Sequence, residues 1–176
     1  MDIYTIGHST HSQEEFIEIL KTYDIELVVD IRSYPGSKYV PHFNKENMEV
    51  WMPDSGIKYI HMKELGGRRK AAKGIDDSLI EGWEKDSFRN YAAYSLTEEY
   101  NKAIESLIKL GEEQRVAYMC AESVPWRCHR LIVSNTLLAK DIDVYHIMSK
   151  TQTILHELDK FGAHAIIDGS RVIYPK

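Results

Sequence analysis

The segment from Ile3 to Arg32 limits the architecture more than any other part of the chain. Ile3-Tyr4-Thr5-Ile6 is a β-branched and aromatic run stopped by Gly7, the composition of a short strand. Ser12 and Glu15 follow at capping-box spacing. Phe16, Ile19, Leu20 and Tyr23 then recur at helical intervals and make one apolar face. Leu27-Val28-Val29 is a second apolar run, ending at Asp30-Ile31-Arg32. Neither strand alternates with polar residues, so both are expected to be covered on two faces. Strand, helix and strand in so short a span form a βαβ unit, which implies parallel pairing.

The rest of the chain extends this pattern. Pro35-Gly36 and Pro41 break a loop over residues 33–42, and Asn44 is placed to start a helix ending near Pro53 to Gly56. A third strand is expected over 57–62, then a mobile, glycine-rich and basic loop over 63–76. Residues 77–112 read as interrupted helix. Thr97 with Glu98 and Glu99 marks one helix start, and Ile104, Leu107 and Ile108 its buried stripe. Strands over 115–119 and 144–148 flank a helix from about Cys128 to Ala139. A last helix is expected over 152–161, then short strands at 165–167 and 172–174 around Asp168-Gly169. No internal repeat or linker interrupts the chain. The expectation is one α/β domain over residues 1–176, a three-layer sandwich with a mostly parallel sheet of about five strands and helices on both faces.

Composition excludes some function classes. The 176 residues carry a formal charge of −5, with 43% apolar and 28% charged side chains. That balance suits a globular protein and argues against a globally basic nucleic-acid binder. Met1-Asp2-Ile3-Tyr4 lacks the basic, then apolar, pattern of a secretory signal, and no apolar run approaches bilayer-spanning length. A cytoplasmic location without membrane attachment is expected, and two cysteines there would stay reduced.

In open parallel sheets, ligands bind beyond the carboxyl ends of the strands. The residues after the expected strands are therefore the candidates. They are Gly7, His8, Ser9 and Thr10; Asp30, Arg32 and Ser33; Glu64, Gly66, Gly67, Arg68 and Arg69; and Cys120, Glu122, Arg127, Cys128, His129 and Arg130. His146 lies near the end of the fifth strand. Five of the eight arginines fall in these segments, at 32, 68, 69, 127 and 130, while the 14 lysines are spread more evenly. Arginine suits bidentate recognition of phosphate and carboxylate, and glycine lets backbone N–H groups approach an anion.

The densest stretch is Cys120 to Arg130. Cys128 stands near an expected helix N-terminus beside Arg127, His129 and Arg130, a setting that favours a thiolate. Competing readings are an inert buried thiol, strongest for Cys120; a nucleophilic or redox thiol, strongest for Cys128; and zinc held by both cysteines and a histidine. Zinc is the weaker alternative because seven residues separate the cysteines, and no other cofactor is expected. A disulfide between them is disfavoured by a reducing compartment. A phosphatase-like loop is not assigned, since Cys120 and Arg127 bracket six residues and the loop has no glycine. His8 could act as acid or base, and Ser9 or Thr10 could instead cap a helix. Asp30 could be a base or the partner of Arg32, and Glu122 an acid or a partner of Arg127 or Arg130. Trp126 reads as a stacking platform or a core plug, and Tyr91 with Tyr94 as helix packing.

Several segments occur together in a characteristic order. They are Tyr4-Thr5-Ile6-Gly7-His8-Ser9-Thr10, Val29-Asp30-Ile31-Arg32-Ser33-Tyr34-Pro35-Gly36-Ser37 and Phe43-Asn44. Next come Tyr59-Ile60-His61, Glu64-Leu65-Gly66-Gly67-Arg68 and Phe88-Arg89-Asn90-Tyr91, and last Cys120-Ala121-Glu122 with Cys128-His129-Arg130. In these the chain resembles the domain of unknown function 488 family, with His11 departing from a common arginine. The resemblance implies the fold and a functional interest in the cysteines, and it implies no reaction. The residues themselves lead to an enzyme, of hydrolase or transferase type, for an anionic small molecule such as a nucleotide. Arg32, Arg68, Arg127 and Arg130 would bind the anion, with Ser9, Ser33, Gly67, Cys120 and His129 beside them. His8, Asp30, Glu122 and Cys128 would supply the chemistry. A nucleotide- or nucleic-acid-binding module and a thiol-based redox protein are the alternatives.

Overall fold

The computed structural model describes residues 1–176. Six strands form one sheet: β1 (Asp2–Gly7), β2 (Leu27–Asp30), β3 (Lys58–His61), β4 (Val116–Cys120), β5 (Asp143–Ile147) and β6 (Thr153–Leu155), in the order β3-β2-β4-β1-β5-β6. The first five run parallel, and β6 pairs antiparallel with β5. The helices are α1 (Gln13–Thr22), α2 (Lys45–Asp54), α3 (Asp86–Tyr94), α4 (Glu98–Glu113) and α5 (Arg130–Ala139). A separate hairpin, β7 (Ile166–Asp168) with β8 (Arg171–Ile173), follows.

Side chains alternate across the strands, and each face has its own core. Ile6, Val28, Ala117, Met119 and Ile147 meet Phe16, Ile19 and Leu20 of α1 and Met48, Trp51 and Met52 of α2. On the other face Ile3, Leu27, Val29, Val116, Tyr118 and Val144 meet Tyr91, Tyr100, Ile104, Leu107 and the apolar residues of α5. This two-sided cover explains why the strands read as unbroken apolar runs. Each large side chain buried here contributes roughly 1.5–3 kcal/mol.

Local signals mostly act as expected. Ser12 and Glu15 form a complete capping box on α1, and Thr97 accepts from the Tyr100 N–H at the start of α4. Asn44 precedes α2, but its side chain accepts from the Ser37 N–H and ties down the 33–42 loop. Ser9 and Thr10 cap nothing; Ser9 instead takes a left-handed φ of 49°. Residues 63–76 open with a 3-10 turn, Lys63–Leu65, whose carbonyls at Lys63 and Glu64 accept from Arg69.

The mostly parallel sheet is as expected, its five parallel strands extended by the antiparallel edge strand β6, and one expectation is corrected: residues 152–161 form no helix. Their apolar residues Ile154, Leu158 and Phe161 have near-helical spacing, yet Thr153–Leu155 extends the sheet. The His156 N–H bonds the Val144 carbonyl, its side chain is buried in a polar network, and Phe161 stacks on Trp126 at 4.2 Å. Long-range pairing here outweighs a weak local pattern. Helix α5 also begins two residues later than expected, because a 3-10 turn over Pro125–Arg127 occupies its approach and His129 is its N-cap.

Candidate functional site

Strands β1 and β4 are neighbours, but their connections leave in opposite directions. β1 continues through α1 on one face toward β2, and β4 continues through α5 on the other toward β5. A crevice opens at such a switch point. The ladder runs on past the strands, with His8 N–H donating to the Cys120 carbonyl and Ser9 N–H to that of Ala121, both at 2.9 Å. A cleft of about 630 Å³ lies above it.

The cleft gathers residues from four strand ends. His8 and Ser9 come from β1, Arg32 and Ser33 from β2, and Gly67 and Arg68 follow β3. Cys120, Glu122, Arg127, Cys128 and His129 come from the turn after β4. Asp30 and Arg130 do not line it; both are fully buried behind residues that do. Arg69 is drawn away from the cleft, held by three carbonyls with its guanidinium 3.8 Å from the Tyr94 ring.

Behind the His8 wall, Asp30 holds Arg32. One carboxylate oxygen accepts from the Arg32 amide and Nε, and the other from Nη2 at 2.7 Å and from the Tyr59 hydroxyl. Arg32 also donates to the Phe43 carbonyl and, through Nη1, to Nε2 of His8 at 3.2 Å. Arginine has no acceptor atom, so His8 Nε2 must carry the lone pair and Nδ1–H donates to the Ser9 carbonyl. Burial, with the Arg32 charge adding to it, pushes the His8 pKa down to about 4. The imidazole is therefore neutral at pH 7 with both nitrogens engaged, and its ring stacks on Phe43.

On the other wall, the two sulfurs of Cys120 and Cys128 lie 2.9 Å apart as free thiols. Arg130 Nε donates to Cys120 at 3.0 Å and to Cys128 at 3.4 Å. Its Nη1 donates to the Thr5 hydroxyl and its Nη2 to the Glu122 carbonyl. Burial pushes both thiols up. At Cys128 it is outweighed by the hydrogen bond from Cys120 and the charge of Arg130, which hold this thiol well below its ordinary value. At Cys120, burial and the neighbouring sulfur keep the proton on. Cys120 is 2% exposed and Cys128 half-buried at the cleft. The balance of these causes favours the thiolate form at Cys128, the more accessible sulfur, over Cys120.

A buried chain of hydrogen bonds stands behind Arg130, and its direction is fixed at the far end, where Asn135 Oδ1 can only accept and each neutral ring carries one N–H. The Thr5 hydroxyl accepts from Arg130, and with His146 Nδ1 bearing the lone pair its own proton goes to that nitrogen at 2.8 Å. His146 Nε2–H then donates to Nδ1 of His156 at 2.9 Å, and His156 Nε2–H to Oδ1 of Asn135 at 2.8 Å. Asn135 passes its own N–H to the Tyr174 hydroxyl. Burial lowers His146 to about 2 and His156 to about 4, so both rings are neutral. The chain solvates the guanidinium with oriented dipoles where water cannot reach.

Close approach in this region depends on glycine. A Cβ on Gly7 would fall on the Glu122 carbonyl oxygen beside Arg130, and one on Gly67 would strike the His129 ring. His129 donates from Nε2 to the Ile31 carbonyl and packs edge-on against Tyr91. Ser33 accepts from the Arg68 amide, and the Arg68 guanidinium lies 5.3 Å from the Tyr34 ring. Glu122 contributes its carbonyl to Arg130, while its exposed carboxylate forms no ion pair with Arg127 or Arg130. Sequence reasoning missed Lys85, Ser87 and Ser123 on the cleft. Lys85 and Ser87 are exposed residues in no strand-end segment; the one signal for them was the adjoining Phe88–Tyr91 segment.

No group of three or more His, Cys, Asp or Glu side chains is arranged to hold a metal ion, so the zinc alternative lacks a third ligand beside the cysteines. No helix is long and apolar enough to cross a membrane. Fold and cleft together define an open, mostly parallel α/β protein with an arginine-paired dithiol at its strand-end crevice. The chain belongs to the family described as domain of unknown function DUF488, whose model matches residues 12–137. That match takes in both cysteines and Arg130 and begins after the Gly7–Thr10 turn. Neither the curated proteins nor the solved structures contain a significant match to the chain.

Proposed function

We propose that this protein is an enzyme for a small anionic substrate, phosphate- or carboxylate-bearing, with Cys128 as its thiolate nucleophile. The observation that supports this best is Arg130, a fully buried guanidinium whose only ionisable partners are two thiols. Burying an unpaired cation costs several kcal/mol, and a thiolate relieves that cost. The substrate's anion would meet Arg68, Arg127 and Lys85 at the cleft, with Arg32 behind them. Ser9, Ser33 and the N–H groups of Glu122 and Ser123, which have no acceptor within the protein, would add hydrogen bonds. His8 and Asp30 act on this reading as positioning residues for Arg32. His129 and Gly67 shape the wall beside Cys128, and the Glu122 carboxylate stands exposed at the cleft. A cytoplasmic, reducing setting would keep the thiols available.

A nucleotide is the form of substrate favoured by the aromatic residues Tyr34 and Phe88 on the cleft, where a base could stack. If the ligand were instead a nucleic acid, binding would weaken steeply with salt.

The test is alkylation of Cys128 by two reagents of opposite character, neutral iodoacetamide and anionic iodoacetate, followed by peptide mass spectrometry across pH 5–9. Rapid modification at pH 6, with iodoacetate favoured at low salt and the preference fading near 1 M salt, is expected. Modification that begins only above pH 8 would remove the thiolate, and with it the proposed mechanism.

A further inference from the structure

Arg130 also bears on what happens when the two sulfurs are oxidised. Its four contacts are Cys120, Cys128, the Thr5 hydroxyl and the Glu122 carbonyl, with no carboxylate among them. The other titratable groups facing the pair are Tyr118 from β4, Tyr91 from α3 and His129 at the start of α5. Burial keeps both tyrosines protonated and lowers His129, so Arg130 is the one cation in direct contact with the sulfurs. The two cysteines also differ in access: Cys128 is half-buried at the cleft, and Cys120, 2% exposed, sits deeper in its wall with its sulfur against Cys128 and Arg130.

We propose that Cys120 and Cys128 are a two-electron redox couple that exchanges with the disulfide of a small anionic thiol, and that the protein disulfide so formed is strongly oxidising because it leaves Arg130 without a counter-ion. This rests on the thiolate reading of Cys128 and extends it to a substrate class and a second functional residue. In the first step the Cys128 thiolate attacks one sulfur of R–S–S–R, forming a mixed disulfide and releasing RS⁻. In the second, Cys120 gives up its proton to RS⁻ and attacks Cys128 Sγ, closing the protein disulfide and releasing the second RS⁻. The substrate is reduced to one RSH and one RS⁻, and the two cysteines are oxidised. The cationic residues Arg68, Arg127 and Lys85 select for disulfides bearing carboxylates.

The closed disulfide is neutral, yet Arg130 stays buried among neutral acceptors. Loss of a partner by a buried charge shifts an equilibrium by on the order of a hundred- to a thousand-fold. The couple is thereby biased toward the dithiol, so the disulfide is readily reduced again.

Glutathione disulfide is the probe. Wild-type protein equilibrated with it, acid-quenched and mapped by mass spectrometry should yield the Cys120–Cys128 disulfide. Cys120→Ser should stop at a mixed disulfide on Cys128. Cystamine, a cationic disulfide, should react at least tenfold more slowly at low salt; equal rates would overturn the anionic class. For reduction by dithiothreitol, the dithiol product holds one proton fewer than two neutral thiols. The equilibrium constant should therefore rise with pH below neutrality, where two neutral thiols would give no pH dependence, and a flat profile would overturn the Arg130 argument. Arg130→Met should move that constant toward disulfide by a hundred-fold or more. Should that variant not fold, the wild-type pH profile decides alone. Fast alkylation of Cys128 at pH 6 with no intramolecular disulfide under glutathione disulfide would overturn this proposal and leave the thiolate enzyme standing. Slow alkylation would remove both.

Discussion

Thr5→Val tests the buried polar chain without changing shape. Thr5 is fully buried, with its hydroxyl 2.9 Å from Arg130 Nη1 and 2.8 Å from His146 Nδ1. Valine fills the same volume and removes both bonds. Losing a hydrogen bond from a charged donor costs about 1.5–3 kcal/mol, and stranding a buried ring nitrogen adds about 1–3 kcal/mol. A total of about 3–5 kcal/mol is expected. At about 2–4 °C per kcal/mol for a chain of this size, the melting temperature should fall by roughly 10 °C. Thr5→Ser keeps the hydroxyl and deletes one buried methyl group, for about 1 kcal/mol. The assay is equilibrium urea unfolding followed by circular dichroism. Nitrogen chemical shifts of the His146 ring would report in parallel whether its proton sits on Nε2. A valine variant no less stable than the serine variant would refute the reasoning, as would a His146 proton on Nδ1.

Two further outcomes follow from buried ionisable groups. His8 and His156 have pKa values near 4 and His146 near 2. The unfolded chain therefore takes up protons below pH 6.5 that the folded one refuses. Stability should fall between pH 7 and 5 by on the order of 2 kcal/mol for each ring. Urea melts should show this slope, reduced in His156→Gln; a pH-independent midpoint over that range would contradict it. Asp30→Asn removes the charge of a fully buried carboxylate from its pair with Arg32 and should cost about 3–5 kcal/mol. Tyr59→Phe removes one hydrogen bond to the same carboxylate and should cost about 1.5–3 kcal/mol. Equal losses from the two, measured by the same unfolding assay, would mean that Arg32 finds another partner.

The sequence made the sheet legible because every central strand is covered on both sides, leaving apolar runs such as Leu27–Val29 and Val116–Met119. The site was legible in outline for a topological reason, since whatever follows a parallel strand lies at one edge. Pair geometry was not legible. Arg127, His129 and Arg130 stood together as cationic neighbours of Cys128, yet Arg127 is exposed after the 3-10 turn at Pro125, and Arg130 reaches the sulfurs from the first turn of α5. Cys120 read as a structural thiol because its distance from Cys128 depends on how that turn folds back. The pairing of His156 with His146 was hidden for a similar reason: it exists only because Thr153–Leu155 joins the sheet, against the helical spacing of its own segment.

The chemistry of Cys128 is also tied to the order in which the chain folds. The contact between Arg130 and Thr5 spans 125 residues, and that between Thr5 and His146 spans 141. Contacts so distant along the chain form late. During synthesis, β1 emerges early but cannot take its place between β4 and β5 until both have been made. A nascent chain would hold two ordinary, protonated thiols, and the reactive one would arise with the closing of the sheet. Pulses of an alkylating agent at pH 6 during refolding would then read Cys128 as a clock for the last step of assembly.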